Sequence, residues 1–93
     1  MKFEWDAAKA ASNIEKHGVS FEEASTAFGD PLSRNMPDPL HSDDEDRFVL
    51  MGQTNTGRLA VVVYTTRDET TRLISARLAT PAERRRHEQT HEE

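Results

Sequence analysis

The sequence predicts a single α+β domain over residues 1–93, with element order β-α-α-β-β-β-α and an antiparallel sheet carrying two N-terminal helices on one face and followed by a C-terminal helix. Three observations point there. Two helix-start signals, Asp6 and "SFEE", follow one another early in the chain. The second half alternates apolar and polar positions between hairpin-length turns, and "TPAE" opens a last helix behind it.

The first element, "MKFEW", sets Phe3 and Trp5 on one face and Lys2 and Glu4 on the other, the period of a half-buried strand. Asp6 is an N-cap for "AAKAASNIEKH", in which Ala7, Ala10 or Ala11, and Ile14 share a face, and Gly18 stands where a left-handed residue closes a helix. In "SFEE" Ser20 and Glu23 form a capping box, and the second helix buries Phe21, Ala24 and Phe28 before Gly29 and Pro31 end it. From Leu32 to Met36, between prolines, a short extended segment suits an edge strand. "RFVLMGQ" then alternates Phe48 and Leu50 against Arg47, Val49 and Met51. "NTG" is a hairpin turn, and "RLAVVVYTT" is apolar on both faces, as a central strand is. "TRLISARLA" places Ile74, Ala76 and Leu78 opposite Leu73, Ser75 and Arg77. Thr80, Pro81 and Glu83 launch the third helix, "PAERRRHEQ", whose final residues are expected to fray because no apolar residue follows Ala82.

With 34% hydrophobic and 31% charged residues, the chain has the composition of a soluble folded domain. It has no cysteine, which removes disulfides and thiolate metal sites and fits the cytoplasm as the default. Its longest apolar run, Leu59 to Val63, is far too short to span a bilayer, so no membrane role is expected. The formal net charge of −5 is unevenly placed. Residues 38–46 carry five acidic groups and no Lys or Arg, whereas residues 58–86 carry seven arginines and a local net of +4. Because fields act over a Debye length of about 8 Å, an acidic protein can still own a basic working face.

The strand phases give that face a place. Residues alternating with Phe48 and Ile74 look away from the helices, which puts Arg47 and Arg77 on the open side of the sheet.

The residues also resemble a known family. "FEWDAAKAASNIEKHGVSFEEASTAFGDP" is similar to the N-terminal signature of the BrnT toxins, and "GRLAVVVYTT" with "RLISARLATPAERR" is similar to their C-terminal half. Together W-D-x-x-K, N-x-x-K-H-G-V-x-F and I-S-A-R span nearly the whole chain. The resemblance implies a RelE-like fold and a type II toxin–antitoxin ribonuclease that halts translation by cutting RNA. It further implies a small BrnA-like antitoxin with a ribbon-helix-helix domain, in a hetero-oligomer that touches operator DNA only through the antitoxin.

Metal-free RNA cleavage needs a base for the 2′-hydroxyl proton, cations for the phosphorane and an acid for the leaving oxygen. Arg47 and Arg77 suit the second task, since a guanidinium binds two phosphate oxygens and never loses its charge. The alternative for each is a structural ion pair. His17, in the K-H-G stretch, is the acid/base candidate, because imidazole exchanges a proton in the physiological range. Tyr64 could donate a proton or stack on a base, unless it is simply a strand aromatic. Lys16, Arg58 and Arg84 are RNA-binding candidates, Arg84 by its match to the family's E-R. No cofactor is called for. The negative total charge favours free RNA over ribosome-bound message as substrate, since phosphate contacts supply most of a ribosome binder's affinity.

Two other readings compete. A non-catalytic module or corepressor, acting only through its antitoxin, would use the same basic face. The tail "HEQTH", His87 to His91, fits the H-E-x-x-H signature of zinc peptidases, in which two histidines four apart on a helix bind the metal. A zincin needs that helix buried with a further ligand beyond it, and here only Glu92 and Glu93 follow. Coincidence is the expected explanation.

Overall fold

The computed structural model describes residues 1–38 and 46–90. Strand β1 (Lys2–Glu4) leads to helices α1 (Ala7–His17) and α2 (Phe21–Thr26), and a 3-10 turn over Ala27–Gly29 extends α2. Strands β2 (Arg34–Pro37), β3 (Arg47–Gln53), β4 (Leu59–Arg67) and β5 (Thr70–Leu78) follow, then helix α3 (Pro81–Thr90). Most of the expected acidic loop, residues 39–45, lies outside the described residues, as does His91.

The five strands form one sheet in the order β1-β5-β4-β3-β2. The expectation of an antiparallel sheet is corrected at one edge: β1 runs parallel to β5, Phe3 opposite Thr71, so the sheet is mixed. The cause is connectivity. The α1 and α2 excursion carries the chain from β1 across the sheet to the far edge, and the hairpins return β5 alongside β1 in the same direction. The extended segment after Pro31 becomes β2, an exposed edge strand, so four strands stand after α2 where the expected order had three.

Local signals set the helices. The Asp6 carboxylate accepts the Lys9 amide at 3.0 Å, and Gly18, at φ 69°, sends its amide to the Ile14 carbonyl at 2.8 Å. Ser20 caps α2 by accepting the Glu23 amide at 3.0 Å. The capping box there is only half built, because the Glu23 carboxylate turns to the β3–β4 hairpin. It accepts Thr54 Oγ1 at 2.8 Å, Thr56 Oγ1 at 2.6 Å and Arg58 Nε at 3.0 Å. Gly52 marks where β3 passes under the 3-10 turn: a Cβ there would stand 2.8 Å from the Ala27 carbonyl oxygen.

The main core lies between the sheet and α1–α2. Val19, Phe21, Val62 and Leu73 are fully buried, each worth about 1.5–3 kcal/mol in apolar transfer. Beside them Phe28, Phe48 and Tyr64 make a ring cluster. The face of α1 turned to this core is Ala10 and Asn13; Ile14, expected inward, is half exposed. In β5 the expected alternation breaks. Val63 pairs with Ser75 but Tyr64 pairs with Leu73, so Ile74 is a bulge residue. That extra residue brings Leu73 and Ala76 into the same core while Ser75 and Arg77 face the other side.

Candidate functional site

The face of the sheet turned away from α1 and α2 carries a cleft of about 380 Å³. Its floor is apolar: Met36 of β2, Val49 and Met51 of β3, Val61 and Val63 of β4. Register makes them neighbours, since Met36 pairs with Val49, which pairs with Val63, while Met51 pairs with Val61. Its rim is cationic, with Arg34 from β2, Arg77 from β5, His17 from the end of α1, and Arg86 and His87 from α3; Asp38 and Glu83 are its carboxylates.

Arg77 is held rather than loose. Its Nη1 donates to Glu83 Oε1 at 2.7 Å and to the Leu78 carbonyl at 3.3 Å, and its Nη2 donates to Glu83 Oε2 at 2.9 Å. Those bonds use three of the five guanidinium N–H groups. The Nε–H and the second Nη2–H remain as a fork along the other edge, the geometry that takes two oxygens of a phosphate. Glu83 is itself fixed, accepting the Thr80 amide at 2.9 Å while Thr80 Oγ1 accepts the Glu83 amide at 3.1 Å, the complete capping box of α3. Arg77 holds the Glu83 carboxyl at about 2, far below its usual range, which makes it too weak a base for proton transfer and suits it as an orienting anion.

His17 comes to this cleft from the opposite face, around the edge of the sheet. β1 pairs with β5 only as far as Arg72, and the side chain of Asn13 takes over farther along. Asn13 Nδ2 donates to the carbonyls of Ala76 at 2.8 Å and Val19 at 2.9 Å, and its Oδ1 accepts the Ala76 amide at 3.0 Å. Ala10, Asn13 and His17 share one helical face, so this clamp, one residue before Arg77, sets the end of α1 beside it. Sequence reading passed over Asn13, although it stands in N-x-x-K-H-G-V. A lone polar residue amid the apolar spacing of α1 was the available signal.

Of the other expected site residues, Arg47 faces the open side, but its row lies four residues along β3 from Met51, in Arg77's row, or about 13 Å at the strand rise, and it does not line the cleft. Tyr64 takes the alternative given for it, a strand aromatic. It is 5% exposed on the helix-covered face, packed 4.9 Å from Phe28, and burial pushes its hydroxyl pKa up. Arg58 pairs with Glu23 at 2.5 Å and donates to the Gly18 carbonyl at 3.2 Å, tying the hairpin to the helices. Lys16 is exposed on the turn beside His17 and Arg84 lines a second cleft. His87 was missed as well. It is 9% exposed, so α3 buries a polar residue although no apolar residue follows Ala82. Among the described residues no cluster of three or more metal-ligating side chains occurs.

A small mixed sheet carries α1 and α2 on one face and, on the other, a cleft rimmed by arginine and histidine. Residues 5–83 match the family model described as "Ribonuclease toxin, BrnT, of type II toxin-antitoxin system", and the chain belongs to that family. It is also similar to the crystal structure of the Brucella abortus ribonuclease toxin BrnT, at 26% identity and a TM-score of 0.68, over 86% of this chain and 97% of that one. No curated protein sequence matches the chain.

Proposed function

We propose that this protein is a metal-independent, RelE-like endoribonuclease toxin acting at the cleft of Arg77 and His17, neutralised by a BrnA-like ribbon-helix-helix antitoxin. The observation that carries the reading is the Arg77 fork, anchored on one edge by Glu83 and open on the other, in a cleft that His17 also lines. A scissile phosphate on that fork receives two charge-assisted hydrogen bonds, with Arg34 and Arg86 adding positive potential from either side. His17 takes the proton of the 2′-hydroxyl as that oxygen attacks phosphorus. The bond to the 5′-oxygen breaks, a proton passes to that leaving oxygen, and a 2′,3′-cyclic phosphate remains. We assign the delivery of that proton to His87, the other imidazole that lines the cleft.

The test is incubation of purified protein with single-stranded RNA in EDTA. Cleavage to cyclic-phosphate ends, lost in Arg77→Ala and blocked by the antitoxin, is expected. Tight antitoxin binding with RNA left intact would support the non-catalytic alternative instead. Cleavage that strictly requires ribosomes and ignores salt would overturn the expectation of free RNA as substrate.

A further inference from the structure

Helix α3 contributes residues to two clefts on the open side of the sheet. On the far side of His87 lies a second cleft of about 400 Å³, lined by Leu32, Gln53, Leu59, Arg84 and Glu88 and bounded by Asp30. The two clefts are successive rows of one surface. Gln53 and Leu59 face each other across β3 and β4 just as Met51 and Val61 do one row earlier. That offset is two residues, about 7 Å along the strands, the order of one nucleotide's backbone step. Positions on α3 sort accordingly. Glu83 and Arg86 line the first cleft, Arg84 and Glu88 the second, and His87 lines both.

The chemistry of the second cleft differs from that of the first. Leu59, 5% exposed, is an apolar floor, and Leu32, 54% exposed, an apolar wall. The Arg84 guanidinium supplies a flat cation, a surface on which unstacked RNA bases lie. The carboxylates of Asp30 and Glu88 are acceptors. Asp30 is fixed by accepting the amides of Leu32 at 2.9 Å and Gln53 at 2.8 Å. Two carboxylates repel a phosphate but accept hydrogen bonds from an exocyclic amino group.

We propose that this second cleft is a nucleobase subsite, taking the base next to the scissile phosphate and preferring bases that carry an exocyclic amino group over uracil. The proposal rests on the ribonuclease reading above. It also gives Arg84 a role the first cleft does not, as a stacking surface rather than a phosphate ligand.

The experiment uses the full chain and short single-stranded oligoribonucleotides that differ only in the base flanking the cleavage position: cytosine, uracil or an abasic residue. Wild-type protein is expected to cut the cytosine substrate with kcat/KM about tenfold above the uracil and abasic ones, the size of one base contact. Glu88→Gln should erase the preference for cytosine over uracil. Arg84→Ala should lose about tenfold on cytosine and little on the abasic substrate. Equal cleavage of all three substrates by wild type, or an unchanged preference in both variants, overturns the subsite while leaving the ribonuclease reading intact. Wild type that cuts none of them overturns both.

Discussion

Arg77 and Glu83 lie six residues apart in sequence and meet through two parallel hydrogen bonds of 2.7 and 2.9 Å, joining the end of β5 to the first turn of α3. The pair is the alternative that sequence reading set against a catalytic Arg77, yet the two roles are compatible. One edge of the guanidinium is spent on orientation, and the same residue lines the cleft. With side-chain exposures of 42% and 26%, solvent screens the pair, so its worth is aim more than stability.

Arg77→Ala is expected to lower RNA cleavage by about 10²–10³-fold and to abolish growth arrest, while thermal stability shifts by no more than about 1 kcal/mol. Arg77→Lys should fail too, because a single ammonium cannot hold Glu83 and present a fork to phosphate. Cleavage assays and thermal melts on the same preparations check both. Full toxicity of Arg77→Ala would remove the residue from the mechanism.

Acid should destabilise the fold within a defined window. Glu23 and Glu83 are each held at about 2 against an ordinary 4.5, Glu23 chiefly by Arg58 and Glu83 chiefly by Arg77. A lowered folded-state pKa means stability that is fully present above the unfolded value and is lost as pH falls from there toward 2. Melting temperature should therefore hold near neutrality and drop below about pH 4.5. Glu23→Gln, which frees the hairpin from α2, should flatten that slope and cost on the order of 1–2 kcal/mol at pH 7.

Asn13→Ala leaves the Ala76 amide and two carbonyls without their partner inside the protein, and should cost roughly 2–3 kcal/mol by chemical denaturation. Asn13→Asp should be worse, since a carboxylate would face the Ala76 and Val19 carbonyls it cannot donate to. Both variants should also lose activity in their remaining folded fraction, because the clamp sets His17 beside Arg77. Wild-type turnover per folded molecule would confine Asn13 to stability.

Tyr64→Phe should keep full cleavage activity, because the hydroxyl lies on the helix-covered side of the sheet. A modest stability loss of about 1 kcal/mol, from the hydrogen bond with Asn35, is expected. A large fall in kcat with unchanged stability would return Tyr64 to the site.

The sequence by itself determined what local physics writes: the caps at Asp6, Ser20 and Thr80, the left-handed Gly18, the hairpin at Gly57 and the polarity of the strand faces. It also put Arg77 on the open face, and the family motifs were legible because they cluster at those same caps and strands. Tertiary structure alone decided the rest. The parallel β1, the Ile74 bulge and the burial of Tyr64 depend on which strands meet, and a period-2 pattern carries no partner's name. His87 shows the difference most plainly. Read along the chain it belongs to a polar tail with a chance zinc-peptidase match; in space it is a buried residue shared by the two clefts. Burial belongs to the surfaces that come together, and no single stretch of sequence holds both of them.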